Sequence, residues 1–232
     1  MAPASGRRTV TGSWPARLGV RPAAVVFDCD GLLVDTEPSW SQAEAELFTR
    51  RGLPYGEAER ALFLGVSVRD SAAIMADRFA EPGRVDALYD ELLAAVHGRL
   101  AAAAVALPGA VDLVAGLRAR GVPVAVASNS PRPVVAFSLD RAGLSGQFDA
   151  VVTADDVTSP KPAPDPYLAA CHRLGADPAG SVAFEDSDTG LAAARAAGLA
   201  TVGVPAASDV LVADWVVPRL DDPAIGSWLA AW

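Results

Sequence analysis

Lysine is almost missing from this chain: of 19 basic residues, 18 are Arg and one, Lys161, is Lys. Histidine and cysteine are nearly as scarce, with His97, His172, Cys29 and Cys171 the full set. Two distant Cys build neither a disulfide framework nor a zinc cluster, and a reducing cytoplasmic setting follows. Two His, both in helix-like stretches, argue against a Ser-His-Asp triad or a His-rich metal centre. No apolar run reaches the roughly 18 residues of a membrane span. Positive charge is in deficit, with 28 acidic residues for a net charge of −9, which argues against nucleic acid or an anionic membrane as partner.

What is present is a globular inventory. Hydrophobic types make up 51% of the chain and charged types 20%, which excludes general disorder. A length of 232 residues fits one large domain or one domain with an insertion. Residues 1–21 hold Arg7, Arg8, Arg17 and Arg21, no acid, and no apolar stretch of a secretory signal. They read as a disordered tail, with an Arg-rich transit peptide as the alternative.

Short apolar runs recur, each followed by a polar turn and a helical pattern. Residues 23–27, 121–127, 150–153, 181–184 and 199–204 read as five buried strands, and 215–217 as a sixth. Runs without polar alternation suit a parallel sheet covered on both faces. Helical patterns occupy 110–120, 133–142, 165–174 and 188–197, three of them stopping at Gly121, Gly143 and Gly198. In the third, Asp165 reads as the cap with Pro166 at the first position, and Gly175 ends it. Alternation of this kind implies an open, Rossmann-like α/β sheet. Residues 37–107 break the rhythm. They contain no convincing strand and read as helices 39–51, 57–64, 69–79 and 84–104. That is far longer than a βα crossover needs, so 37–107 is expected to be an inserted helical cap on a core of 22–36 and 108–232.

Sites of α/β proteins lie at strand ends. Here those ends carry Asp28-Cys29-Asp30-Gly31, Ser128-Asn129-Ser130 and Glu185-Asp186-Ser187, with Lys161-Pro162 some eight residues past the third strand. Asp28 and Asp30 are two apart, so in an extended segment both point to one side. Cys29, between them, points away and reads as a buried, inert thiol. Converging carboxylates repel one another unless a cation joins them, and all-oxygen donors select a hard ion, Mg²⁺ above all. A phosphate ester fits such a place. Lys161 and the Ser128 hydroxyl can hold the phosphoryl group, with backbone N–H groups after Ser128 as an anion cradle. Asp28 is placed to attack phosphorus, and Asp30 to move a proton to the leaving alcohol and from water.

Asp28-Cys-Asp-Gly-Leu-Leu-Val-Asp-Thr-Glu resembles the first motif of the haloacid dehalogenase-like superfamily. Ser128-Asn-Ser resembles its second, Lys161-Pro-Ala-Pro-Asp its third, and Phe184-Glu-Asp-Ser-Asp-Thr-Gly its fourth. The likeness runs from residue 24 to about residue 217, in the right order. It implies a sheet in the order 5-4-1-2-3. It also implies a Mg²⁺ ligated by the Asp28 side chain, the Asp30 carbonyl and Asp186, with Glu185 a ligand or an anchor. By the same likeness Asp28 is the nucleophile, Asp30 the acid/base, and Ser128, Asn129 and Lys161 the phosphate site. The insertion after the first motif marks the helical-cap branch.

Within that branch, dehalogenases lack the second Asp, and a Schiff-base phosphonatase needs a cap Lys that this chain lacks. A β-phosphoglucomutase has a cap His twelve residues after the nucleophile, where Trp40 stands here, and a cap Arg where Val68 stands beside Arg69. The opening resembles 2-deoxyglucose-6-phosphate and hexitol-phosphate phosphatases. A Mg²⁺-dependent phosphatase of a small phosphorylated metabolite, a sugar phosphate, is therefore expected, acting as a monomer or weak dimer. A phosphosugar mutase is the alternative. A receiver module also clusters Asp, Lys and Mg²⁺ but is about half as long and has no such insertion. In the cap, Trp40 can stack on a sugar face or simply pack, and Arg69 can touch substrate or stay solvated.

Overall fold

The computed structural model describes residues 14–205 and 211–232. Six strands form one wholly parallel sheet in the order β3-β2-β1-β4-β5-β6. They are β1 (Val25–Phe27), β2 (Val124–Ala127), β3 (Ala150–Val152), β4 (Val182–Glu185), β5 (Ala200–Gly203) and β6 (Trp215–Val216). This is the expected 5-4-1-2-3 order with a sixth strand at the edge. The continuous apolar runs make sense here, because β1, β2, β4 and β5 are buried along their whole length.

Alternation along each strand divides the core. Val25, Phe27, Val124, Val126, Phe184 and Val202 face one side, with the aromatic rings of Phe27 and Phe184 stacked at 5.2 Å. Val26, Ala125, Ala127 and Ala183 face the other. The Ala side chains there let helices lie close to the sheet. Burial of each large apolar side chain contributes about 1.5–3 kcal/mol.

Between β1 and β2 the chain forms α1 (Glu37–Arg50), α2 (Glu57–Arg60), α3 (Val68–Arg78) and α4 (Val85–Ala103). Leu47, Phe48, Phe63, Met75, Leu88, Leu92 and Val96 pack among them. Phe48 lies edge-on to Tyr55, Phe63 and Phe79 at 5.3, 6.0 and 4.8 Å. The chain enters and leaves this helical layer along paired segments: Val34 bridges Ala106, Asp35 N–H donates to the Val105 carbonyl at 2.9 Å, and Leu107 N–H to Leu33 at 2.9 Å. After it come α5 (Ala110–Ala119), α6 (Arg132–Arg141), α7 (Asp165–Leu174), α8 (Asp188–Ala196) and α9 (Pro223–Leu229). Among the described residues no helix is long and apolar enough to cross a membrane.

Three expectations change. The tail assigned to 1–21 is too long. Residues 16–18 form a 3-10 turn, Leu18 is fully buried, and its carbonyl accepts from Trp228 Nε1 at 2.7 Å; residues 1–13, with Arg7 and Arg8, lie outside the described residues. Helix α9 was not anticipated, since seven residues hold too few turns for a visible period. It starts at Pro223 under an Asp222 side-chain cap and buries Ile225 and Trp228. Asp165 is the first helical residue of α7 rather than its cap.

Gly98 sits inside α4 with nothing within 4 Å of the place a Cβ would take. Gly98→Ala should therefore stabilise the protein by about 0.5–1 kcal/mol, seen as a raised denaturation midpoint with unchanged turnover.

Candidate active site

The parallel register ends β1, β2 and β4 side by side: Phe27 pairs with Val126 and Phe184. Asp28 follows β1 and donates its N–H to the Phe184 carbonyl at 3.0 Å, while Ser128 follows β2. Strand β4 closes with Glu185. Strand order reverses at β1, since β2 and β4 flank it, and this switch point is where a parallel sheet opens a crevice.

Lys161 reaches into that crevice. Its Nζ donates to Asp28 Oδ1 and to Glu185 Oε1, both at 2.6 Å, and the side chain is 4% exposed. Asp28 Oδ2 has no hydrogen-bond partner among the described residues. Glu185 is completely buried and also accepts from Tyr167 Oη at 2.5 Å and Ser187 Oγ at 3.1 Å. Ser187 caps α8 by accepting from Gly190 N at 3.1 Å. A Cβ on Gly190 would strike the Glu185 carboxylate, and one on Gly31, whose φ is +80°, would strike Asp186. Those two glycines are required by close approach, and Gly31 by its left-handed backbone as well.

Asp30 is held by four donors. Thr36 Oγ1 and Trp40 Nε1 donate to Oδ1 at 2.9 and 3.4 Å, and Ser128 Oγ and Ser130 Oγ to Oδ2 at 3.1 and 2.8 Å. Ser128 Oγ also accepts from Ser130 N at 3.0 Å and is buried away from the cavity, which Ser130 lines instead. Asn129 spends its side-chain amide on the Lys161 backbone, accepting from Lys161 N at 2.8 Å and donating to its carbonyl at 3.1 Å. The Ser128 hydroxyl thus turns to Asp30 and the Asn129 amide fixes the Lys161 backbone, with Asn129 itself lining the cavity. Cys29 is fully buried in the apolar core, away from this edge.

Donor atoms of Asp28, Glu185 and Asp186 all lie within 4.8 Å of one another. Burial raises the Asp28 carboxyl above the ordinary range; Lys161 opposes this, while Glu185 and Asp30 add to it. Burial, Asp28 and Glu185 raise Asp186 in the same way. Burial alone would lower Lys161, but Asp28 and Glu185 outweigh it and hold the ammonium firmly charged. One cation thus faces three carboxylates in a place of low dielectric. A hard divalent cation fits this all-oxygen donor set and its charge.

The site opens into a cavity of about 570 Å³ between the sheet edge and the helical layer. Asp28, Asp30, Lys161 and Asp186 form its floor, and Trp40, Glu44, Arg60, Phe63 and Val68 line the other side. Trp40 both packs and faces the cavity, with its indole N–H on Asp30. Arg69 does not line the cavity. It stands on the exposed flank of α3, paired with Asp86 at 2.9 Å and lying over the Tyr89 ring at 5.2 Å. Arg60, which the sequence did not mark, is the cation of the helical layer that lines it, and it is paired with Glu37. Gly65 closes the helical layer on the sheet edge, its Cβ position 3.1 Å from Thr189 Oγ1 and its carbonyl 3.5 Å from Asn129 Nδ2. Thr36, Ser130, Tyr167 and Glu44 were likewise missed.

The model of the haloacid dehalogenase-like hydrolases matches residues 22–198. The chain belongs to that family. Among relatives, the chain is 39% identical over 189 residues to the fructose-1-phosphate phosphatase YqaB of Escherichia coli (strain K12), covering 79% of this chain and 97% of the relative. It is 34% identical over 184 residues to the validoxylamine A 7'-phosphate phosphatase of Streptomyces hygroscopicus subsp. limoneus, covering 79% and 86%. The crystal structure of CbbY from Rhodobacter sphaeroides in complex with phosphate superposes with a TM-score of 0.75 at 27% identity, covering 86% of this chain and 95% of that one. As a haloacid dehalogenase-like hydrolase, the protein is an enzyme whose motifs meet at one edge of its sheet.

Gly190→Ala tests how tightly that edge is assembled. The added methyl must displace Glu185, so the variant should lose about 1–3 kcal/mol of stability together with most of its turnover, measured by denaturant titration and p-nitrophenyl phosphate hydrolysis.

Proposed function

We propose that the protein is a Mg²⁺-dependent phosphatase of a small sugar phosphate, working through an aspartyl phosphate on Asp28. The observation that carries this reading is Lys161 bridging Asp28 and Glu185 at 2.6 Å beneath the cavity. The names of the relatives, phosphatases of phosphorylated small molecules, support it.

Residues 37–107 act as a cap over the core of 22–36 and 108–232, excluding bulk water from the phosphate edge. Lys161 fixes Asp28 through Oδ1 and keeps Oδ2 free for attack. Asp28 Oδ2 bonds to phosphorus as the ester P–O bond breaks, and a proton held by Asp30 passes to the departing alcohol oxygen. Asp30, now a carboxylate, takes a proton from water. The water oxygen attacks phosphorus, the Asp28–phosphorus bond breaks, and inorganic phosphate leaves with Asp28 restored. Thr36, Trp40, Ser128 and Ser130 keep Asp30 aimed throughout. Asp28, Asp186 and the Asp30 carbonyl are the groups that would hold Mg²⁺, with Glu185 behind them; bound there, the ion supplies positive charge to the phosphoryl oxygens.

A mutase must also grip a second phosphate. Val68 and Trp40 occupy the two cap places in question, Arg69 turns away, and Arg60 is already paired with Glu37. Simple hydrolysis is therefore the better reading. We take the protein to act as a monomer or weak dimer, and two buried free thiols fit a cytoplasmic setting.

Asp28→Asn should fold normally and lose more than about 10³-fold in p-nitrophenyl phosphate turnover. EDTA should abolish wild-type turnover and added Mg²⁺ restore it. Retained turnover in Asp28→Asn would remove the mechanism.

A further inference from the structure

We propose that Glu44 is a specificity-determining residue of the cavity, its carboxyl accepting hydrogen bonds from the hydroxyl groups of a leaving group that is polyhydroxylated and carries no second anionic group. The proposal rests on the phosphatase reading above and deepens it by assigning the part of the substrate beyond the phosphorus.

Helix α1 presents Glu37, Trp40, Ser41 and Glu44 to the cavity, the i, i+3, i+4, i+7 spacing of one helical face. Its neighbours Ala43 and Leu47 are fully buried in the helical core. Glu44 is thus a carboxyl set at the boundary between that core and the cavity, only 5% exposed. Tyr55 Oη donates to its Oε2. The Tyr55 ring is itself held edge-on to Phe48 at 5.3 Å and stacked on Phe63 at 6.4 Å, so the carboxyl is aimed by a rigid aromatic group. The other oxygen, Oε1, has no hydrogen-bond partner among the described residues.

A carboxylate offers about four acceptor sites; Tyr55 fills one. The rest open to the cavity, and a ligand that displaced water from them without donating in its place would cost about 1–3 kcal/mol. Burial indeed raises Glu44 to about 7, with the Tyr55 hydrogen bond pulling the other way. No basic side chain among the described residues pairs with it: Arg60 is spent on Glu37, and Lys161 on Asp28 and Glu185. Groups that donate without bringing negative charge satisfy it best, and sugar or polyol hydroxyls are such groups. The same inventory leaves a second phosphate or a carboxylate without an unpaired cation on the cap side. Trp40 offers an aromatic face for the C–H side of the same ligand.

The test compares kcat/KM for fructose 1-phosphate, which carries hydroxyls, with that for p-nitrophenyl phosphate, which carries none. Glu44→Gln replaces one acceptor oxygen by a donor amide at nearly constant shape. The ratio of the two constants should fall by about 10- to 100-fold, mostly through KM. Tyr55→Phe, which deletes only the orienting hydroxyl, should move the ratio in the same direction by a smaller factor, and serves if Glu44→Gln does not fold. A ratio that stays at the wild-type value in the folded variants overturns the proposal, because a merely structural Glu44–Tyr55 pair would lower both constants together. Wild-type protein that hydrolyses neither ester overturns the phosphatase reading itself.

Discussion

The contact on which the site depends is the double ion pair of Lys161 with Asp28 and Glu185. It joins the ends of β1 and β4 to the loop before α7, segments 133 and 24 residues apart in sequence. Such a pair is weak evidence for stability, because desolvation offsets most of its Coulombic gain. Removing one partner is another matter: an uncompensated buried charge costs about 3–5 kcal/mol. The ammonium therefore has few alternatives to this position. A guanidinium is broader and planar, so it could not present one compact charge to two carboxylates in the same narrow space. That gives a physical reason for one Lys in a chain that otherwise uses Arg.

What surrounds the ion pair is arranged to support it from behind. Tyr167 and Ser187 donate to Glu185, and Asn129 clamps the Lys161 backbone at both its N–H and its carbonyl. A second, separate network holds Asp30 with four donors, from Thr36 just before α1, from Trp40 within it, and from Ser128 and Ser130 after β2. The two acids that are two residues apart in sequence thus sit in different surroundings: Asp28 against an ammonium and other carboxylates, Asp30 among hydroxyls and an indole. Different surroundings are how a pair of like groups takes on different work, in keeping with the proposed division into nucleophile and proton carrier.

The core of the fold and the floor of the site were legible because both are local patterns. Continuous apolar runs announce buried parallel strands, and a polar residue just after each run is placed at the sheet edge by the strand itself. Asp28, Glu185 and Asp186 could be found that way, whereas Lys161, in a loop well past β3, stands out as the one Lys of the chain. Thr36, Ser130 and Tyr167 could not, since each acts only through a contact made by tertiary packing, and Ser, Thr and Tyr are common in every setting. The Asp30 network hides Ser130 behind the more conspicuous Ser128. Arg69 and Arg60 show the matching limit in the cap: a sequence places an Arg on a helix, but the rotation of that helix decides whether it meets the cavity. The order of residues 14–21 is not legible because it comes from distant partners: Trp215 against Trp14, the Arg120 and Gly121 carbonyls on Arg21, and Trp228 on Leu18, the last in a helix too short to be seen.

The site also limits how the surrounding chain can vary. Glu185 fits only because position 190 has no side chain, and Asp186 only because position 31 has none. Both glycines carry a cost, since each loses more conformational freedom on folding than any other residue would, and Gly190 lies within a helix where Ala would be favoured by roughly 0.8–1 kcal/mol. A chain so rich in Ala elsewhere, including Ala192, Ala193 and Ala194 directly after it, shows that helix propensity is otherwise followed in α8. The exception falls where the helix meets the buried carboxylate. Local stability has given way there to the close approach that brings three acids and one ammonium together, and the apolar packing on both faces of the sheet compensates for it.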